Sequence, residues 1–82
     1  MKMINSKQLT ALANANAIKA IEVRGTAGGF IITVDGNLIE LQRGNARVFR
    51  KLQSAATYLK SKGIGTFTVD LSRWSPEQHT LL

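Results

Sequence analysis

Two hydrophobic periods alternate along the chain. Ile4 is followed by Asn5-Ser6-Lys7-Gln8, in which Asn5 can cap the free amides of a first helical turn and Gln8 can reach back to the Asn5 amide. Ile4 and Leu9 are then spaced as a hydrophobic staple, and Leu9, Leu12 and Ala13 share one face of a short helix ending near 14–16. From Ile18 to Arg24 the period falls to two: Ile21 and Val23 suit a core, while Lys19, Glu22 and Arg24 suit water. This pattern predicts a strand. The glycine-rich run Gly25-Thr26-Ala27-Gly28-Gly29 reads as a turn, Phe30–Val34 as a β-branched second strand, and Asn37–Gln42 as a third. Asp35-Gly36 between the last two is a two-residue hairpin signal, because both positions tolerate positive φ.

Arg43-Gly44-Asn45 breaks the alternation, with Asn45 or Gly44 placed as a helix N-cap. Val48, Phe49, Leu52, Ala55, Ala56 and Leu59 then recur at helical spacing. Gly63 stands where a left-handed C′ residue belongs, with Ile64 at C″ packing back on Leu59. Thr66–Leu71 alternates again, Phe67, Val69 and Leu71 against Thr66, Thr68 and Asp70. In the tail, 72–82, Ser75-Pro76-Glu77-Gln78 is a helix-start signal with too few residues behind it for an independent helix, so the tail either packs through Trp74 and Leu81 or frays.

The order α-β-β-β-α-β predicts an α+β domain. A three-stranded antiparallel meander is joined by a fourth strand beside the first, giving the order 3-2-1-4 with the helices packed on one face of the sheet. The expected core is Leu12, Ile21, Val23, Phe30, Ile32, Val34, Phe49, Leu52, Leu59, Phe67 and Val69. Residues 1–82 are one small domain, and a core of this size confers only modest stability.

Charge changes this picture. The net charge is +6, and between Glu40 and Asp70 the chain carries Arg43, Arg47, Arg50, Lys51, Lys60 and Lys62 with no acid. A one-signed surface attracts polyanions and acidic protein faces. Lys60 and Lys62 have a structural explanation at a helix C-terminus, where the dipole favours cations. Arg43, Arg47, Arg50 and Lys51 cluster at the helix entry, where it does not. They are therefore the candidate nucleic-acid or partner-binding residues, although the wet face of an amphipathic helix explains such a run equally well. Gln42, Asn45 and Gln53 nearby suit either reading. Neither Arg47 nor Arg50 belongs to the core pattern.

Catalysis is not expected. The acids Glu22, Asp35, Glu40, Asp70 and Glu77 show no spacing that would converge two carboxylates in a cleft. His79 is the sole histidine, and without cysteine there is no basis for a thiolate metal site or a disulfide. The glycine clusters at 25–29 and 63–65 lack the strand-loop-helix order of a phosphate loop. No cofactor is expected. No apolar run could span a bilayer and the first residues lack the apolar stretch of a secretion signal, so a cytoplasmic location is expected.

The segment from Arg47 to Asp70 has the skeleton Arg-x-Phe-x-x-Leu, then Ala, Tyr-Leu-Lys, Gly-Ile and Phe-x-Val-Asp. With Leu9-Thr10-Ala11-Leu12-Ala13 and Gly28-Gly29-Phe30 upstream, it resembles the small ParC-type partition-associated proteins of plasmids and integrating conjugative elements. The resemblance implies a non-enzymatic accessory role in the maintenance of a mobile genetic element and supplies no catalytic residues. The expected partner is nucleic acid, held non-specifically and salt-dependently, or an acidic protein; a homodimer is compatible with either. Two rival readings are a double-stranded RNA-binding-like domain, which shares the α-β-β-β-α order and a basic second-helix entry, and a structural dimerisation module using a sheet edge or the Trp74 tail.

Overall fold

The computed structural model describes residues 3–42 and 45–74, without the side chains of 41, 42 and 45. Its elements are β1 (Met3–Ile4), α1 (Ser6–Asn14), β2 (Ile21–Thr26), β3 (Gly29–Val34), β4 (Asn37–Gln42), β5 (Asn45–Ala46), α2 (Leu52–Ser61) and β6 (Thr68–Asp70). The expected meander and fourth strand are present, with β6 parallel to β2, and the sheet order is β1-β4-β3-β2-β6. Two short strands are additions to the expected scheme: β1 pairs parallel with β4, and β5 pairs antiparallel with it.

The ends of the helices follow their local sequence. At the start of α1 the Gln8 amide donates to Asn5 Oδ1 (2.8 Å) and the Asn5 amide donates to Gln8 Oε1 (2.9 Å), a complete capping box. The helix closes with Asn16 at φ 58° and the Ala17 amide donating to the Leu12 carbonyl. At the end of α2, Gly63 takes φ 84°, its amide reaches the Lys60 carbonyl, and the Ile64 amide reaches that of Leu59. Ile64 and Leu59 are both buried, which completes the expected Schellman ending. Asp35 (φ 51°) and Gly36 (φ 86°) make the tight β3–β4 turn. The Asp35 carboxylate also accepts the Lys19 and Ala20 amides.

The register Ile21–Val34 and Val23–Ile32 puts one face of β2 and β3 into a single core. That core holds Val23, Phe30, Ile32, Val34 and Ile39 of the sheet, Leu9 of α1, Ala55 and Leu59 of α2, and the flanking Phe49 and Ile64. Ile21, Leu52 and Phe67 pack at its margin. Two expected core residues lie elsewhere. Leu12 is only half-buried, and Leu9 occupies the centre in its place. Val69 shares the core-facing register with Val23 but is 41 % exposed, because β6 is the last strand of the sheet. That strand is also shorter than the alternation of Thr66–Leu71 suggested.

The largest departure concerns residues 45–51, expected to begin the second helix. They lie outside the helix: Asn45–Ala46 form β5, Phe49 bridges to Phe30, and α2 starts only at Leu52, with Lys51 as an N-cap that makes no side-chain capping bond. The β3–β4 ladder runs only through Val34–Asn37 and Thr33–Leu38. Beyond it the chain returns between the diverging strands: the Arg47 amide donates to the Ile39 carbonyl (2.7 Å), and Phe30 and Phe49 exchange both backbone hydrogen bonds (2.7 and 2.8 Å). Backbone groups that β4 leaves unpaired are thereby satisfied. Of two glycines read from sequence as one turn, Gly29 makes this possible and Gly25 admits Trp74. A Cβ on Gly29, which has φ 138°, would lie 2.5 Å from the Phe49 carbonyl oxygen. Gly25 lies within β2, where a Cβ would meet the Trp74 Cβ at 2.7 Å. The turn proper is Ala27-Gly28, and the two flanking glycines mark close approaches to the sheet.

Candidate functional site

The inserted segment sets the positions of the candidate cations. Arg47 is half-buried, its guanidinium carbon 4.8 Å from the centre of the Tyr58 ring and 5.1 Å from that of Phe49. The two rings lie 5.4 Å apart, and the Tyr58 hydroxyl shares a 2.9 Å hydrogen bond with Ser6 Oγ of α1. Lys62 Nζ approaches the same Tyr58 ring at 5.6 Å. Two cations thus approach one aromatic ring, an arrangement the ring quadrupole favours. Arg47, Phe49, Gln53, Ser54, Thr57, Tyr58 and Ser61 line an open depression of about 490 Å³. Arg47 is not among the core residues, yet its guanidinium carbon stands over two rings at this groove.

Arg50 and Lys51 are exposed and line a different depression, also of about 490 Å³, with Phe30, Leu52, Leu71 and Trp74. Trp74 reaches it from the end of β6 and stacks at a tilt on Phe30, 6.2 Å between ring centres. Arg43, the fourth candidate, lies outside the described residues, as do Glu77, His79, Leu81 and the helix-start signal at Ser75-Pro76. The structure thus brings Arg50 and Lys51 to one groove at the entry to α2 and turns Arg47 to another that runs along the helix to Ser61. Tyr58 and Phe30 are site residues that sequence reasoning missed, and Trp74 was read only as a packing or dimerisation residue of the tail. The available signals were a lone tryptophan just past a strand and a tyrosine that breaks the apolar face of α2.

Three acids have structural partners. Glu22 Oε1 pairs with Arg24 across the open face of β2 at 2.7 Å. Asp35 holds the turn described above. Asp70 Oδ1 accepts the Ser72 amide (2.9 Å) and Ser72 Oγ (2.7 Å), and these bonds hold its carboxyl below the ordinary value of 3.8. No cluster of three metal-ligating side chains occurs among the described residues. Nor is any described helix long and apolar enough to cross a membrane.

Among known families, the model of the ParC-like proteins matches residues 4–78. That span includes both helices, the sheet and both grooves. No curated protein and no solved structure matches the chain.

Proposed function

The chain belongs to the ParC-like family, and we propose that it is a non-enzymatic, cytoplasmic accessory protein of plasmid or mobile-element maintenance that binds nucleic-acid phosphates loosely through Arg47, Arg50 and Lys51. Family membership supports the partition-related role. One observation carries the binding reading: the three cations stand together in sequence at the entry to α2, and none forms an ion pair with another described residue. Cations at a helix N-terminus oppose the macrodipole, and the first turn of α2 contains no acid to offset them. For Arg50 and Lys51, a charge arrangement that costs folding energy is easier to account for if it serves contact with an anion. Phosphate contacts of this kind position the protein on nucleic acid without reading sequence.

The test is a fluorescence-anisotropy titration of labelled duplex DNA, single-stranded DNA and duplex RNA at two salt concentrations. Three neutralised phosphates predict that affinity for duplex DNA falls about 40-fold between about 50 and 200 mM salt. Arg50→Glu with Lys51→Glu should abolish binding at the lower salt. Absence of binding to all three probes at about 50 mM salt, or undiminished binding by the double variant, overturns the assignment. A preference for duplex RNA that survives the salt increase favours the double-stranded RNA-binding reading instead.

A further inference from the structure

The groove between the start of α2 and the end of β6 is built differently from a phosphate cradle. Four of the six described residues that line it are apolar: Phe30, Leu52, Leu71 and Trp74. Leu71 is 43 % exposed, and Val69, two residues earlier on the edge strand, is 41 % exposed. Arg50 and Lys51 stand at the rim, both exposed and neither in an ion pair with a described residue. Gly25 leaves the space in β2 over which Trp74 and Leu71 settle: a Cβ there would meet Trp74 at 2.7 Å and Leu71 at 3.2 Å. An apolar floor with a rim of one charge favours a ligand of matching order, an apolar anchor flanked by acids.

We propose that this groove docks a short acidic peptide segment of a partner protein, with one bulky apolar side chain of that segment seated against Leu71, Trp74, Phe30 and Leu52, and its flanking carboxylates on Arg50 and Lys51. The floor argues against duplex nucleic acid as the preferred occupant, since its phosphate backbone gains nothing from Leu71 and Leu52 and would meet only the rim. The volume, about 490 Å³, accommodates one large side chain and its neighbours. This site goes beyond the phosphate-binding reading. It shares Arg50 and Lys51 with that reading but not its floor, so the two separate experimentally.

Trp74 is the only tryptophan and sits in the groove, so its emission reports occupancy. The full chain is titrated with a synthetic heptapeptide of one phenylalanine between two runs of three aspartates, and with the same peptide carrying serine in place of phenylalanine. The phenylalanine peptide should shift Trp74 emission saturably, and the serine peptide should bind at least about tenfold more weakly. Leu71→Ser should weaken the phenylalanine peptide about tenfold while leaving DNA affinity within about twofold. Arg47→Gln should do the reverse, weakening DNA and sparing the peptide.

Equal binding of the two peptides overturns the proposal, because it leaves only charge. So does single-stranded DNA producing the same Trp74 shift and displacing the peptide competitively from wild type and Leu71→Ser alike. Peptide binding that appears only after Leu81→Asp with Leu82→Asp would make the chain's own 75–82 segment the occupant. A dimer in sedimentation that dissociates on Leu71→Ser would make it a second copy. Either result also overturns the proposal.

Discussion

Gly29 shows how much one missing side chain carries. Its φ of 138° is a region that L-residues rarely adopt, and its bare Cα lets the Phe49 carbonyl approach within reach of the strand. Gly29→Ala should destabilise by about 2–3 kcal/mol, through backbone strain and loss of the Phe30–Phe49 bridge, as measured by urea unfolding. Gly63→Ala has only the positive φ to overcome, with open space around it, and should cost about 1 kcal/mol; a stabilised variant would refute the left-handed C′ assignment. Phe49→Ala should cost about 3–5 kcal/mol, enough to unfold much of a domain this small. At this scale the sequence was legible wherever one residue's own chemistry decides the outcome. Asn5 with Gln8, Asp35-Gly36 and Gly63-Ile64 each carried a local instruction that tertiary contacts did not override. Gly25 and Gly29 were misread because a glycine marking a turn and a glycine marking a close approach look alike until the approaching chain is known.

The element most affected by such contacts is α2. Phe49 and Leu52 are three apart, so their spacing fits a helix as well as it fits an extended entry followed by a helix. The choice was made by unpaired backbone groups on Phe30, nineteen residues from Phe49 in sequence, and no local pattern reports those. The same limit applies to β1, whose two residues depend on the free edge of β4. It explains Val69 as well: alternation gave the correct face, but the face lacks a cover at the last strand. Beyond β6, Asp70 and Ser72 close a turn that delivers Trp74 to Phe30. Because the folded carboxyl binds its proton less readily than an unfolded one, the turn contributes its stability above the ordinary value of 3.8 and loses it as pH falls through the lowered folded value. Acidification below that ordinary value should therefore move Trp74 emission toward that of solvent-exposed indole. Asp70→Asn keeps an acceptor for Ser72 but has no proton to gain, so it should hold the wild-type emission to lower pH. An identical acid response in the two proteins would show that other carboxylates govern the tail.

For the whole molecule the controlling quantity is a net charge of +6 on a small surface. Self-repulsion opposes the compact state, and added salt screens it. The site was only partly legible from this balance. The run of cations named Arg47, Arg50 and Lys51, but the turn of Arg47 onto Tyr58 and Phe49, and of Arg50 and Lys51 toward Trp74, depends on the inserted 45–51 segment. That placement makes stability and the proposed binding respond in opposite directions. Arg50 precedes the N-cap Lys51, and both oppose the positive end of the α2 dipole, with no first-turn acid to compensate. Replacing both with glutamate removes two unfavourable charges and introduces two favourable ones at an exposed helix start. The double variant should therefore be more stable than wild type by about 1 kcal/mol at low salt, a rise of about 4–8 °C in Tm for a domain of this size. The advantage should shrink as salt is added, since exposed charges are screened. The same variant should lose nucleic-acid binding. A variant that is both less stable and binding-deficient would mean that Arg50 and Lys51 hold the fold together, and its lost binding would then say nothing about contact. Gain of stability with loss of binding is the outcome expected of cations placed for a partner at the expense of the helix they precede.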